Sequence, residues 1–338
     1  MISNPFFSII VPAYNVDKYI SRTITSILNN TFNDIEIIIV NDGSTDNTIN
    51  IINNFAKIHE NISIINHSKN ESLHMARMSG INNAKGKYIL FLDGDDYFEN
   101  NALPSLYNFI KNNPNFNICE FGYKRIPSNK IVLPDYFKEN RFTAYISDNN
   151  CPAYTMWNKA YENNFIKNAF SNMQNIYFNN IEDIYESIII SYYTNNIIYF
   201  NEVITIYSIG TGISTIIKNY NQIIEYIKSI KILYENLNIF FKNNNLCINL
   251  NNLIFKLFSN VYIYINYLKN DDDKKNAFVF FINYFNIELI QEYLYSKDIL
   301  KIDEMRNHYY NIIKSKDYLI GRLILSPLRN IKKLFFKK

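Results

Sequence analysis

Glycine is scarce in this chain: 8 of 338 residues, about 2% where a globular protein commonly has about 7%. No Gly-x-Gly-x-x-Gly follows the first strand, and no glycine loop ending in lysine occurs. That excludes the two commonest glycine cradles for nucleotide phosphates. Cysteine is scarcer. Cys119, Cys151 and Cys247 are odd in number, far apart and without a Cys-x-x-Cys pair. They argue against a disulfide framework and a zinc knuckle, and they suit a reducing compartment. Long apolar runs are missing too. The longest, around Ala277 to Phe285, is interrupted by Asn283 and is half the roughly 18 residues a spanning helix needs. No basic-then-apolar leader precedes the first strand, so the expected location is cytoplasmic.

Charge of one sign is missing from most of the chain but not from its end. The net charge is +3. Between Lys314 and Lys338 there are eight basic residues and only Asp317 against them, a tail of +7 on a body of −4. A slightly acidic body does not fit general nucleic-acid binding, which wants basic residues spread over a face. What is plentiful is apolar surface. Hydrophobic residues make up 48% and charged residues 19%, enough for a sizeable core and incompatible with disorder. The abundance of Asn, Ile, Tyr and Lys reads as the codon bias of an AT-rich genome, so single asparagines carry little weight.

The first 125 residues alternate between two periods. Phe7 to Val11 is an apolar run closed by Pro12, and Asp17 to Asn30 carries apolar residues at helical spacing. Ile35 to Val40 is too uniformly apolar for a half-exposed strand and fits a parallel sheet covered on both faces. Asn41-Asp-Gly-Ser-Thr-Asp46 is turn chemistry with Ser44, Thr45 or Asp46 available as helix cap. A helix to about His59, a strand at Ile62 to Ile65, a helix over Ser72 to Ala84 and a strand at Tyr88 to Leu92 follow. The pattern predicts a doubly wound α/β sheet. Cys119 to Tyr123 is a further strand candidate. Beyond Ile216 the pattern is helical, with breaks expected at Asn243 to Asn245 and at Asp271 to Asp273.

Ligands of an open parallel sheet bind outside the carboxyl ends of its strands. Three polar clusters fall there: Pro12-Ala-Tyr-Asn15, Asn41-Asp-Gly-Ser44 and Asp93-Gly94-Asp95-Asp96. Without a glycine cradle, phosphate charge must be neutralised otherwise. Two carboxylates one residue apart at a strand end can share a hard divalent cation and leave its other positions to diphosphate oxygens.

Phe7-Ser-Ile-Ile-Val-Pro-Ala-Tyr-Asn15, Ile37-Ile-Ile-Val-Asn-Asp-Gly-Ser-Thr-Asp46, Ala76-Arg77 and Ala84-Lys-Gly-Lys-Tyr-Ile-Leu-Phe-Leu-Asp-Gly-Asp-Asp96 together resemble the family 2 glycosyltransferases of GT-A fold. A weaker likeness continues through Met156-Trp-Asn-Lys159, Ile181-Glu-Asp183 and Ile204 to Ser214. The resemblance implies a GT-A domain over residues 1–215, with a Rossmann-like, mostly parallel sheet whose nucleotide-sugar half is 1–125, followed by a helical region over 216–338. It implies inverting transfer of a sugar from a nucleotide diphosphate donor, with Mn2+ or Mg2+, to a saccharide or lipid-linked saccharide of a bacterial surface glycan. UDP-sugar is the expected donor.

By the same analogy Pro12, Tyr14, Asn15 and Ser44 belong to the nucleotide site, and Asp42 accepts a hydrogen bond from the uracil ring. Arg77 lies near the diphosphate. Asp95 is the metal ligand, Gly94 lies beside it, and Asp93 reaches the ribose or a metal-bound water. Inversion also needs a base opposite the leaving group. Glu182-Asp183 is the only acidic pair between Asn163 and Asn201, with Glu186 the one other carboxylate, and Asp183 is the expected base. Trp157 is either a sugar-stacking or a core residue, the role of Lys159 is open, and His67 and His74 are read as structural.

The sequence departs from the family at Asn70-Glu71-Ser72 and at Met78 after Arg77, beside the donor. It lacks the Gln-x-x-Arg-Trp signature of membrane-embedded polysaccharide synthases. Two other readings compete. A sugar nucleotidyltransferase would need a basic glycine loop after the first strand, which Pro12-Ala-Tyr-Asn15 is not. A degenerate, transferase-like scaffold draws support only from the altered loop. At the far end, Ser326-Pro327 reads as a helix start. Leu328, Ile331, Leu334 and Phe335 share one face, with Arg329, Lys332 and Lys333 largely off it. That pattern predicts either peripheral contact with an anionic membrane or a helix packed on the body.

Overall fold

The computed structural model describes residues 4–134, 136–137, 140–147, 152–210, 217, 219–285, 289–290 and 292–293. Cys151 and the amphipathic tail from Ser326 lie outside the described residues. Two compact units divide the chain. One comprises Met1–Ile216 with Ile232–Leu253, the other Ile217–Lys231 with Ile254–Lys338.

The first unit begins as the periodicities require. β1 (Phe7–Ala13), β2 (Ile35–Asn41), β3 (Ile62–Asn66) and β4 (Tyr88–Phe91) are joined by α1 (Ile20–Leu28), α2 (Thr48–Ala56) and α3 (Leu73–Asn83). The strands lie in the order β3-β2-β1-β4, all parallel, with Ile9 opposite both Ile37 and Leu90. Helices cover both faces, so β1 is buried along its whole length, which is why it reads as continuously apolar. β1 runs two residues past its expected end. Pro12 is tolerated because β4 has left the strand after Ile10, so one edge no longer needs a donor there.

Beyond β4 the sheet turns mixed. β5 (Tyr97–Phe98), α4 (Ala102–Asn112), β6 (Ile118–Ile126), β7 (Lys130–Val132), α5 (Arg141–Ser147), β8 (Lys159–Glu162), α6 (Asn163–Ser171), α7 (Glu182–Tyr193) and β9 (Ile197–Ser208) follow. β8 runs antiparallel between β4 and β6, β9 is parallel to β6, and β7 pairs only with β6. Only the first half is parallel throughout; the second half is mixed, with β6 and β9 its parallel pair. The apolar core runs under both halves, from Ile9, Val11 and Ile37 to Cys119, Phe121 and Ile204.

α8 (Tyr220–Asn243), α9 (Asn251–Tyr267) and α10 (Asp271–Tyr284) complete the described elements. Within the second unit, Phe258 gathers the rings of Phe281, Phe285 and Tyr293 at 4.6–5.4 Å. The break expected at Asp271 to Asp273 is corrected: those three residues form the first turn of α10, with the Asn270 side chain accepting from the Asp272 amide. Carboxylates are favoured in a first helical turn, where the N-terminal end of the helix is positive. The interruption is the three residues before them. Among the described residues no helix is long and apolar enough to cross a membrane.

Candidate active site

The carboxyl ends of β1, β2 and β4 bring the three polar clusters to one edge of the sheet. After β1 the chain turns through Asn15 in a left-handed conformation, φ 52°. The Asn15 amide donates to Ser44 Oγ at 3.1 Å, and its side-chain oxygen accepts from the Thr45 amide at 2.8 Å. The first two clusters are thus one hydrogen-bonded surface. Of the three cap candidates, Asp46 accepts from the amide of Thr48, the first residue of α2. Gly43 (φ 69°) passes so close to the next loop that a Cβ would lie 2.3 Å from the Lys69 carbonyl carbon.

Asp42 is buried, and its carboxylate already serves three donors. Oδ1 faces His67 Nδ1 at 2.6 Å and the Glu71 amide at 2.9 Å, and Oδ2 accepts from the Ser72 amide at 3.0 Å. His67 Nε2 continues to Ser79 Oγ at 2.9 Å. Asp42 therefore orders the loop that departs from the family pattern, and Ser72 is held there at φ 86°.

The acidic loop after β4 is clamped by α1. Thr23 Oγ donates to the Gly94 and Asp96 carbonyls at 2.9 and 2.7 Å. Arg22 donates to the Asp95 carbonyl at 2.6 Å and to Ser208 Oγ at 3.0 Å, with its guanidinium 4.4 Å from the Tyr97 ring centre. Gly94 is buried, and a Cβ there would stand 3.1 Å from the Pro12 carbonyl oxygen, so glycine lets the loop close against the end of β1. Asp96 is buried and accepts from the Ser208 amide at 2.7 Å. Burial, reinforced by Asp93 and Asp95, pushes its carboxyl up to about 9. Asp96 ties the loop to the end of β9, leaving Asp93 and Asp95 as the partly exposed pair.

Arg77, expected near the diphosphate, is fully enclosed. Its Nη1 donates to Asp183 Oδ1 at 2.5 Å and to Glu186 Oε2 at 2.7 Å, and its Nη2 stands 3.9 Å from Asp93 Oδ1. Glu186, also fully enclosed, pairs through its other oxygen with His74 Nδ1 at 2.9 Å. His74 Nε2 reaches the Gln174 carbonyl at 3.1 Å. One buried cation thus joins the acidic loop on β4 to the carboxylates of α7.

α7 starts abruptly, with Ile181 at φ 63° delivering Glu182 and Asp183 into its first turn. Burial raises Asp183 above the ordinary aspartate range, with Arg77 opposing. Burial and Asp183 push Glu182 up to about 8. Burial also pushes on Glu186, yet Arg77 and His74 together hold it below its ordinary value. Asp183 remains 30% exposed and Glu186 not at all. Of the two, only Asp183 can meet a substrate.

Two open roles acquire a structural answer. Trp157 is buried, stacked on Tyr207 (ring centres 4.9 Å apart, planes at 6°) with the Tyr123 ring edge-on at 4.7 Å. Lys159 is buried and donates to the Thr155 carbonyl, Thr155 Oγ and Asn158 Oδ1 at 2.5, 3.2 and 2.8 Å. Burial lowers it to about 8. It shapes the turn before β8. Sequence reasoning missed Thr23 and Arg22 and gave Glu186 no role. The signals were a threonine on the apolar face of α1 and a lone carboxylate inside the apolar run of α7.

Among the described residues no three His, Cys, Asp or Glu side chains are grouped to hold a metal ion. The fit of a divalent cation rests on two aspartates. Asp93 Oδ1 is buried without a hydrogen-bond partner, and burial, opposed by Arg77 and reinforced by Asp95 and Asp183, pushes its carboxyl up to about 7. Crowded carboxylates with an orphaned oxygen suit a cation that takes its remaining ligands from diphosphate.

A parallel half-sheet that gathers an asparagine turn, an Asp-Gly-Ser turn and a paired-aspartate turn at one edge, closed by a mixed second half carrying a partly exposed carboxylate, defines a GT-A-type nucleotide-sugar transferase domain. Residues 8–170 match the family described as Glycosyl transferase family 2, and the chain carries a domain of that family. A relative named as an uncharacterized glycosyltransferase, EpsJ of Bacillus subtilis, is 40% identical over 40% of this chain and 40% of its own. The poly(ribitol-phosphate) beta-glucosyltransferase of Bacillus spizizenii is 43% identical over 31% of this chain and 17% of its own. The chain thus spans less than half the length of either. A crystal structure of S. aureus TarS 1-349 in complex with UDP has a TM-score of 0.49 at 18% identity, covering 96% of this chain and 85% of that one.

Proposed function

We propose that this chain is a metal-dependent, inverting glycosyltransferase that moves a sugar from a UDP-sugar to a saccharide hydroxyl of a bacterial surface glycan. The observation that carries the reading is the Arg77 bridge, which holds the acidic loop at the donor edge and the exposed Asp183 in one constellation. That the Bacillus spizizenii relative is a poly(ribitol-phosphate) glucosyltransferase supports a polymer acceptor. Residues 1–215 carry the transfer chemistry, and the helical region from residue 216 serves the acceptor or a membrane.

Pro12, Tyr14, Asn15 and Ser44 form the nucleotide-facing surface, and Asp42 keeps the 67–72 loop against it. Asp93 and Asp95 are the residues that would hold Mn2+ or Mg2+, whose charge would offset that of the departing diphosphate. Asp183 takes the proton from the acceptor hydroxyl as that oxygen attacks the anomeric carbon from the side opposite the diphosphate. Its raised affinity for a proton favours that transfer, and Arg77 holds the carboxylate in place.

Thermal unfolding with UDP and with GDP, each with and without Mn2+, tests the donor half. Ligand at about 100 times its dissociation constant adds about 2.7 kcal/mol, a rise of roughly 5 °C for a chain of this size. A rise with UDP that needs Mn2+ and is lost in Asp95→Asn is expected. No rise with either nucleotide would favour the degenerate scaffold, and a rise with GDP alone would change the donor.

A further inference from the structure

α3 carries two residues that reach the same carboxylate. His74 and Arg77 are one helical turn apart, so they lie on one side of the helix. Glu186 of α7 takes both: Oε1 faces His74 Nδ1 at 2.9 Å, and Oε2 accepts from Arg77 Nη1 at 2.7 Å. All three side chains are wholly buried. The other ring nitrogen of His74, Nε2, stands 3.1 Å from the backbone carbonyl of Gln174, a group that only accepts. The Gln174 amide donates to Tyr185 Oη at 3.1 Å. The segment that leads into α7 and Asp183 is therefore gripped from both sides.

A neutral imidazole has one nitrogen that donates and one that accepts. Neither neighbour of His74 can donate to it. The Gln174 carbonyl has no proton to give. Burial pushes the Glu186 carboxyl up, but Arg77 and His74 outweigh it and hold that carboxyl below its ordinary value, so it is ionised. A neutral ring would aim a bare lone pair at an acceptor inside a fully buried site. Protons on both nitrogens satisfy both contacts. The surroundings suit a cation as well: the Phe170 ring is stacked at 5.8 Å, and a ring face attracts positive charge. Phe178 and Tyr185 stand edge-on at 6.0 and 5.6 Å.

We propose that His74 is an imidazolium in the folded protein and a positioning residue for the transfer: through Glu186 it fixes Arg77, and through Arg77 the exposed Asp183. The role in transfer rests on the function proposed above; the charge state does not. Arg77 Nη1 serves Asp183 and Glu186 at once. With Oε1 taken by His74, Glu186 offers Arg77 only Oε2, and the guanidinium keeps its reach toward Asp183. Without that contact the freed oxygen competes for the guanidinium, whose Nη2 has no hydrogen-bond partner and stands 3.9 Å from Asp93 Oδ1. The hold on Asp183 then loosens.

Nuclear magnetic resonance of the full chain, labelled with nitrogen-15 in its histidine rings, reads the charge state directly. The chain has four histidines, and the spectrum of His74→Gln assigns the ring. A His74 ring with protons on both nitrogens at neutral pH is expected; one bare nitrogen overturns the proposal. Release of UDP from UDP-glucose or UDP-N-acetylglucosamine reads the positioning. Glutamine places its amide near the site of Nε2 and leaves Glu186 Oε1 without a donor, whereas asparagine places its amide near the site of Nδ1 and keeps that contact. His74→Gln should lower kcat by about tenfold with KM unchanged, His74→Asn should lower it clearly less, and His74→Gln should add nothing to Asp183→Asn. Equal losses in the two variants, a loss confined to KM, or a further loss on top of Asp183→Asn overturns the positioning role. Should His74→Gln fail to fold, His74→Asn assigns the ring and carries the kinetics, and a fall in its kcat of about tenfold or more overturns the role. A wild type inert on both nucleotide sugars, with both ring protons present, removes the transfer reading and the positioning role with it, and leaves the charge state standing.

Discussion

Replacing Glu186 by glutamine isolates what the buried bridge does. The change keeps the shape of the side chain and removes one charge from a site where Arg77 and Glu186 are both fully enclosed and 2.7 Å apart. Removing one partner of a buried ion pair typically costs about 3–5 kcal/mol. Asp183 still faces Arg77 and the amide oxygen can still accept, so the lower end applies, about 3 kcal/mol. At roughly 2–4 °C per kcal/mol, the melting temperature should fall by about 6–12 °C. The pH dependence has a definite sign. Glu186 is held below its ordinary value, so its contribution is present above the unfolded glutamate value and is lost as pH falls through the folded one. The gap between wild type and Glu186→Gln should therefore close in acid. A second effect reaches the base. The Glu186 charge helps keep Asp183 raised; without it Arg77 acts on Asp183 alone, and the acid limb of a pH–rate profile moves to lower pH. Calorimetric melts near neutrality and in acid read the first effect, and nucleotide release against pH reads the second. A melting change under about 1 °C, or a gap that widens in acid, would refute the reasoning.

Two other substitutions probe separate parts of the site. Asp183→Asn should lower transfer by at least roughly 100-fold, the usual contribution of a general base, while the UDP and Mn2+ melting shift persists; loss of the shift would move Asp183 to the donor side. Gly43→Ala meets both a positive φ and a Cβ placed 2.3 Å from backbone, so denaturant unfolding should show a loss of more than about 2 kcal/mol, and an unchanged midpoint would mean that the 43–44 turn and the Lys69 loop can separate freely.

The bridge gives the acidic loop and α7 a shared fate. The Arg77 guanidinium is enclosed by groups from α3, the loop after β4 and α7, and burial raises the carboxyls of two of them, Asp93 and Asp183. Thr23 and Arg22 hold the other side of the same loop through backbone carbonyls. The loop can keep its shape whatever charge it meets.

The first half of the fold, and the edge at which the candidate site gathers, are legible in the residues alone. Continuous apolar runs at Phe7, Ile35 and Tyr88, separated by helical spacing, admit little besides a parallel sheet, and polar turns after such strands fall at their carboxyl ends. Local pattern suffices there because each strand-helix pair buries its own apolar stripe against the next. The second half was less legible. β8 enters antiparallel between β4 and β6, strands more than 30 residues away along the chain, and no local period encodes that choice of partners. Only the tertiary structure shows Arg77 as a buried tie, since which carboxylates surround it depends on α3 and α7 packing across more than 100 residues. Only it committed Asp42 to the 67–72 loop. Spacing can specify which residues share an element; which elements share a neighbourhood is decided by how the whole core closes.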